Sequence, residues 1–540
     1  MVVLHSYLRG ISLRAGPVEV VGLPASRRDF IGFGAAALAV AVAEGQRPAR
    51  AEVEGDQSLL ESLIKAGKPI PARAAPYVIE RPIMLPGGSR VVLERGSQFL
   101  YRGTELGTRN NPTGIFVVGG DDVLVQGAVG TAVRSETPTP FLYAVMARGV
   151  TGLRVIDIST VDCHQIYVSH AVLPPKSAFS AIVTSGAAAN VSRNVEVVRG
   201  GTRFTQKSAA ESHGSCFIGY TFGWKVVGGN YANVSHAVQW WGGNASLIAD
   251  GALANERKCG DGEVIGVTCE NVIGGCWGAM GRNIRVVDCV GDGASDVMFD
   301  NEGGQDVTFL RCTARNARHG CFTTFFLCRG TKFIDCRAYQ PGGAPVFRIY
   351  NSSLSTANRD VVINGGYFEG TDAIATFDTA RGPVRSITVI GAVFRNVRID
   401  LAANNNHQIV VQDNRFSFDR AGQLAFSAIK TAGTNRDGDL QASVLISGNT
   451  ITSNVPQPDG SSGILVEQAD YNGSPASSIL RNRVSGFDMD IIGRWTGRNR
   501  GTRAVFTVND NVTARGKVVI DDSKAAARAV SAMARNRSGQ

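Results

Sequence analysis

The sequence predicts an all-β solenoid, and three observations predict it. One pattern returns between Glu263 and Asn351, as VIGVTCENV, IRVVDCVGD, VTFLRCTAR and TKFIDCRAY; its Cys269, Cys289, Cys312 and Cys336 stand at steps of 20, 23 and 24 residues. Each cysteine closes a short β-branched or aromatic run with the period-two alternation of a strand. After each comes a Gly-rich or polar turn and a second short run: GGCWGAM, SDVMFDNE, HGCFTTFF, PVFRIYN. A fixed period of this length, with strands in every unit, marks stacked coils.

Composition agrees with many short strands and tight turns. The chain has 540 residues, 64 of them Gly, and only 19% are charged. The formal charge of +9 is scattered rather than gathered in a basic stripe with interleaved aromatics, so nucleic acid is not an expected partner.

The first residues are set apart from the fold. Ser26-Arg27-Arg28-Asp29-Phe30-Ile31-Gly32 resembles the twin-arginine export motif, and an apolar segment, Phe33 to Ala43, follows it. That segment is too short for a permanent anchor. Ala49-Arg50-Ala51 then offers a small-x-small cleavage site. Residues 1–51 read as a twin-arginine signal peptide. The expected partner is the twin-arginine translocation machinery, the expected location periplasmic or secreted, with no stable membrane anchor.

Residues 52–76 read as a cap segment. SLLESLIKA (58–66) puts Leu59, Leu60, Leu63 and Ile64 on one helical face, and Gly67 ends the pattern. Such a helix covers the open end of a solenoid, where strand edges are unpaired. Coils are then followed from residue 77 to 521, with insertions near 171–190, 203–212, 245–262, 352–359, 419–441, 453–462 and 468–476. Residues 522–540 form a basic, Ala-rich tail, read as a terminal helix or a disordered end.

Equivalent positions of stacked coils lie about 4.8 Å apart. Four cysteines at one inward position would therefore form a buried ladder of thiols acting as small hydrophobes. The other six, Cys163, Cys216, Cys259, Cys276, Cys321 and Cys328, leave one or two disulfides open. None has paired spacing for zinc. A second marker recurs as VVGGNYA, VINGGYF, VVQDNRF, LISGNTI, ILRNRVS and TVNDNVT. Its Asn230, Gly366, Asn414, Asn449, Asn482 and Asn511 suggest a corner of left-handed backbone in every coil.

The coil period, the Asn/Gly corner, the inward Cys/Val/Phe ladders and the cap helix resemble the right-handed parallel β-helix superfamily, the pectin-lyase-like fold. The resemblance covers about residues 77–521. It implies a single-stranded right-handed parallel β-helix with a short N-terminal capping helix, a carbohydrate ligand, and no particular activity. The polygalacturonase set (Asn-Thr-Asp, Gly-Asp-Asp, Gly-His-Gly, Arg-Ile-Lys) and the compact pectate lyase motifs are absent.

The second runs of successive coils align as SHAVQWWGG, GGCWGAMG, SDVMFDNEGG, HGCFTTFF, PVFRIYN and AIATFD. Alternation places Trp241 or Gln239, Trp277, Asp296 with Asp300 and Glu302, His319 with Thr323, Arg348 with Tyr350, and Asp378 on one outer stripe. Asp300 and Glu302, two apart on a strand, share a face at about 6.5–7 Å. Paired carboxylates at that range serve as acid and base in glycosidases. The expected catalytic residues are Asp300, Glu302, His319 and Asp296. The expected substrate-binding residues are Trp241, Trp277, Arg348, Tyr350, His236 and Asp378, with Trp240 as a further flat face. Plainer readings stand beside these. Asp292, Asp296, Asp300 and Glu302 can face water or hold structural calcium, and Trp277 can be buried. The run Glu256–Glu263 reads as a groove wall or as plain surface.

The expected function is an exported carbohydrate-active enzyme cleaving a polysaccharide or oligosaccharide, leaning to hydrolysis. The alternatives are β-elimination of a uronate polymer or glycan binding without turnover. No cofactor is expected, with calcium left open.

Overall fold

The computed structural model describes residues 50–170, 191–206, 213–243, 257–341, 343–350, 357–381, 384–401, 408–433, 443–468, 476–495, 505–514, 517–521, 532–534 and 537–538. The twin-arginine motif, the 171–190 insertion and most of the 203–212 and 245–262 insertions lie outside them.

Each full coil has three strands. In one coil they are Cys259–Ile265, Thr268–Val272 and Gly274–Ala279; in the next, Gly281–Val287, Val290–Ala294 and Val297–Glu302. The cysteine-bearing run expected as one strand is thus two, bent at a corner. First and second strands form a 31-stranded sheet that folds around this corner, and third strands form a separate 16-stranded sheet. Pairing between coils is parallel. Each interior coil therefore satisfies its backbone donors and acceptors through the coils on either side.

One residue per coil makes the corner by taking left-handed φ. It is Asp288 (54°), Arg311 (52°), Asp335 (51°), Asp413 (53°), Arg481 (54°) or Asp510 (55°), and elsewhere Gly266, Gly365, Gly391 or Gly448. Gly and Asp enter this region at least cost. Arg311 does so while its guanidinium bridges Asp288 at 2.7 and 2.8 Å. The corner falls one residue before Asn414, Asn449, Asn482 and Asn511, which corrects the expectation that the asparagines form it. Gly366 is itself left-handed at 93°, and Asn230 is exposed on a strand.

The residue after the corner turns inward and stacks on its equivalents. Backbone hydrogen bonds and register define one row: Val267, Cys289, Cys312, Cys336, Gly366, Ala392, Asn414, Asn449, Asn482, Asn511. The cysteine and asparagine markers are therefore the same position of the coil. Cys269 does not belong to it. It pairs with Gly291, and its thiol faces Met298 Sδ at 3.6 Å. All ten cysteines are buried and free, so the bridges left open among the other six do not form.

The asparagine half of the row is a directional hydrogen-bond ladder. Asn414 Nδ2 donates to Asn449 Oδ1 (3.0 Å), Asn449 Nδ2 to Asn482 Oδ1 (2.9 Å) and Asn482 Nδ2 to Asn511 Oδ1 (3.0 Å). Each Oδ1 also accepts the backbone N–H of the preceding asparagine. Phenylalanines fill the rest of the interior in registered stacks. Phe299, Phe322 and Phe347 lie 5.4 and 5.1 Å apart, and Phe394 and Phe416 lie 4.8 Å apart.

The cap helix spans Arg50–Lys65. Gly67 N–H bonds to Ile64 O and Lys68 N–H to Leu63 O, both at 3.0 Å, the Schellman ending that the glycine permits. Leu60 and Ile64 are buried and Leu63 packs on the core, but Leu59 is 45% exposed and Gln57 takes the inner face instead. The reason is the strand edge beneath. Asp56 Oδ2 accepts Val78 N–H at 3.0 Å and Gln57 Oε1 accepts Glu80 N–H at 3.3 Å, donors that the first strand would leave unpaired. At the far end, Ala532–Ala534 and Arg537–Ser538 pair in parallel with the preceding coil, so these pieces of the tail are strand rather than helix.

Asn449→Ala removes the acceptor for two donors of Asn414 and is expected to cost about 1–3 kcal/mol, whereas Cys312→Val is expected to cost under about 1.5 kcal/mol; urea unfolding reads both. Equal losses would show that the amide ladder carries no more than packing. A thiol reagent should find no reactive cysteine in the native protein and all ten after denaturation.

Candidate active site

The third-strand sheet fixes the outer stripe. Register places Gln239, Trp277, Asp300, Thr323, Arg348, Asp378, Asp400 and Lys430 on successive rungs of one row. A parallel row two residues on carries Trp241, Ala279, Glu302, Phe325 and Tyr350. The faces expected from alternation are therefore the observed ones.

Asp300 is buried although it points outward, 2% exposed, while Glu302 keeps part of its surface open. Thr323 Oγ1, one rung on, donates to Asp300 Oδ1. Trp277 lies on the rung before Asp300 and works against the rise in proton affinity of both carboxylates. Burial dominates the proton affinity of each. It raises Asp300 to about 7, offset by the Thr323 hydrogen bond and reinforced by Asp296, and raises Glu302 to about 8, reinforced by the charge of Asp300. The two titrate as a pair and hold protons that ordinary carboxylates would release.

Around them stands an aromatic wall. The Trp277 ring lies 5.7 Å from Trp241 and 5.3 Å from His236. His236 Nδ1 sits 2.9 Å from Ser235 Oγ, and burial pushes its imidazole down to about 4, so it is neutral. Trp240, expected as a further sugar platform, instead points inward, fully buried 6.4 Å from Trp224. Asp296 and His319 form a dyad at the edge of the pair, with Nδ1 to Oδ1 at 2.9 Å and both side chains solvent-facing.

The remaining expected residues lie apart from the acids. Arg348 is two rungs from Asp300, about 10 Å, and forks onto Asp378 at 3.1 and 3.4 Å. Two expected ligand contacts thus hold each other. The Tyr350 ring stacks on Phe325 at 4.4 Å and 7°, two rungs from Glu302. Asp292 accepts from Asn316 Nδ2 at 2.7 Å rather than joining the site.

Sequence reasoning missed one supporting residue. Arg257, from the run read as wall or surface, is 2% exposed, and its guanidinium donates to Gly303 O (2.6 Å) and Leu327 O (3.3 Å). It ties down the turn directly after Glu302 and the equivalent turn one coil on. Only the burial of an arginine in that loop marks it, and a single sequence does not show burial in an irregular segment. Among the described residues no group of three or more His, Cys, Asp and Glu side chains is arranged to hold a metal ion.

Each coil pairs in register only with the coils before and after it, in parallel, around a common interior. The chain has the right-handed parallel β-helix fold. No protein-family model and no curated protein matches it. Among solved structures, the A-module of Azotobacter vinelandii mannuronan C-5 epimerase AlgE6 is 12% identical, covering 86% of this chain and 95% of that one, with a TM-score of 0.34. A mutant tailspike protein of E. coli bacteriophage HK620, in complex with a pentasaccharide, is 12% identical over 80% of this chain and 74% of that one, at 0.45. The endo-xylogalacturonan hydrolase of Aspergillus tubingensis is 11% identical over 66% of this chain and 91% of its own, at 0.36. Likenesses this distant carry no argument about chemistry, and the fold rests on the strand registers.

The raised acids have a consequence for stability. Each binds its proton more tightly folded than unfolded, so their contribution is complete below the ordinary carboxylate range and is lost as pH rises through about 7 and about 8. Asp300→Asn keeps an acceptor for Thr323 and removes the charge. It is expected to recover about 1–3 kcal/mol of the stability lost between acidic and mildly alkaline pH, read from melting curves across that range. A variant whose melting temperature falls with pH as steeply as the parent's would show that Asp300 is not the desolvated group.

Proposed function

We propose that this β-helix hydrolyses a glycosidic bond of a polysaccharide or oligosaccharide lying across the outer face of its 16-stranded sheet. The observation that carries the reading is the Asp300/Glu302 pair: two adjacent outward carboxylates, desolvated, on the rung next to Trp277. At neutral pH such a pair retains a proton on one group while the other is available as base. The retained proton goes to the leaving glycosidic oxygen. The ionised partner takes a proton from the attacking water. Residues two apart on a strand are spaced about 6.8 Å, which leaves room for that water and favours inversion at the anomeric carbon. Trp241 and Trp277 offer apolar ring faces beside the acids, the surface a sugar ring stacks upon.

A second reading, β-elimination of a uronate polymer, draws on the Asp296–His319 dyad. With Nδ1–H donated to Asp296, His319 Nε2 is the lone-pair nitrogen, the arrangement of an oriented base. In this reading calcium serves as a neutraliser of the uronate. We also propose export by the twin-arginine route, on the strength of residues 26–51. No helix among the described residues is long and apolar enough to cross a membrane.

Glu302→Gln and Asp300→Asn are each expected to lower turnover by at least about 10²-fold with an unchanged fold by circular dichroism, on whichever polymer of a polysaccharide panel the parent cleaves. Product mass separates the chemistries: fragments heavier by one water mean hydrolysis, and unsaturated fragments mean elimination. Elimination that survives both substitutions but not His319→Ala would replace the first reading by the second. The pH–rate profile should peak near neutrality rather than in the acid range of ordinary carboxylates.

A further inference from the structure

The first strands of successive coils form a panel on the other sheet, apart from the paired acids. Left-handed residues bend the chain at both sides of it: Asn194 (53°) and Arg199 (57°) in one coil, Asn283 (50°) and Asp288 (54°) in another. Between the bends, one outward position is aliphatic in coil after coil. Ile156, Val198, Val227, Ile265, Val287 and Leu310 stand on successive rungs, Ile334 follows, and Gln126 and Asn364 close the stripe. Val287 is buried and the others are half-buried. Parallel sheets are usually covered on both faces, and an apolar stripe about 29 Å long marks an interface.

Charge flanks the stripe. On one rim Arg154 pairs with Glu196 at 2.9 Å, and Glu263 pairs with Lys225 at 2.9 Å and with Arg285 at 3.3 Å. On the other, Arg199 forks onto Asp157 at 2.6 and 2.7 Å, and Arg311 onto Asp288 at 2.7 and 2.8 Å. Exposed pairs of this kind contribute little by themselves. Their order along the axis carries the information.

We infer that this panel is a dimer interface, with a second copy of this chain laid antiparallel against it. The dyad runs along the strands, between the Val227 and Ile265 rungs. It sets Val227 against Ile265 of the second copy, Val198 against Val287, and Ile156 against Leu310. The same operation sets Lys225 against Glu263 and Glu196 against Arg285 on one rim, and Arg199 against Asp288 and Asp157 against Arg311 on the other. Arg154 meets Thr308. Asp261 and Asp306, one outward row further, meet Gly223 and Gly152, and Asn194 meets Asn283. Arg193 and Arg282 lie beyond the bend, turned over the Phe222 ring at 5.8 and 4.9 Å. Moving the dyad half a rung puts like on like: Arg154 on Arg285 and Glu196 on Glu263 in one direction, Lys225 on Arg285 and Arg199 on Arg311 in the other. Moving it a whole rung leaves at most three opposite pairs in place of four. Both rims select the same dyad, which favours a second copy over an unrelated protein. From the Arg90 rung to the Val362 rung the panel is about 45 Å long and about 15 Å wide, so each copy covers on the order of 700 Å², within the range of specific interfaces.

Sedimentation equilibrium of the full chain tests this. The parent is expected to dimerise at micromolar concentration and to dissociate as salt rises. Ile265→Asp should weaken the dimer at least about 100-fold. Ile390→Asp, on the same line two rungs past Ile334, should leave it unchanged. Glu196→Arg and Arg285→Glu should each be monomeric, and mixing the two should give a heterodimer in which both contacts are opposite in sign. Within one chain these positions are three rungs apart, about 14 Å, so a local effect does not produce that rescue. Melting curves check that each variant is folded. If either is not, Arg199→Asp and Asp288→Arg replace them, since the dyad pairs those positions in the same way. A parent that stays monomeric at every concentration leaves the stripe to some other partner and overturns the inference. A dimer indifferent to Ile265→Asp overturns it too, as do two monomeric variants that fail to join on mixing.

Discussion

Interstrand hydrogen bonding sets everything in this molecule. Parallel pairing repeats at about 4.8 Å, and every coil must meet the next in register or leave its backbone unpaired. A residue therefore has two neighbours that matter most, its equivalents one coil before and one coil after. Inside, this makes ladders: thiols on thiols, rings on rings, amides on amides. Outside, it makes rows whose chemistry is read across coils, so that groups far apart in sequence, such as Trp277, Asp300 and Thr323, become contacts.

The outer stripe was legible because alternation survives in the third strands. Their inner residues are apolar, Cys276, Phe299, Phe322, Phe347 and Phe377, and fix the faces of the residues between them. Register followed from counting. The inner row was misread where the count was uneven. Cys269 and Cys289 are 20 residues apart, while the later steps are 23 and 24. The short step belongs to a cysteine two positions past the row, a place where Met298 leaves room for a thiol. The corner was misplaced by one residue because Asp, Gly and Arg alternate there, whereas the asparagines beside it are uniform. Their uniformity serves the hydrogen bonds between amides rather than backbone φ.

Geometry added what a row cannot state: whether an outward residue is open. Asp300 is outward and yet sealed, since Trp277 and Thr323 flank it and Thr323 donates to it. Arg348 and Asp378, neighbours on the row, cancel one another. Trp240 and Trp241 are consecutive and lie on opposite sides of one sheet, so one fills the core and the other faces outward beside Trp277. A desolvated acid pair lowers the stability of the scaffold when it ionises, and Arg257, drawn in from an irregular segment, pins the turn that follows.

The amide row has a mechanical meaning. From Asn414 to Asn482 each amide gives to the asparagine of the coil ahead, and from Asn449 to Asn511 each receives from the asparagine behind, so the three amide–amide bonds share one polarity and lie along the solenoid axis. Pulled from its C-terminal end, such a stack would not stretch evenly. It would release whole turns one at a time, each step breaking one amide link along with its backbone rung, until the tear reached Ala392, where the row turns apolar. The half that bears the paired acids would be the last to feel the load.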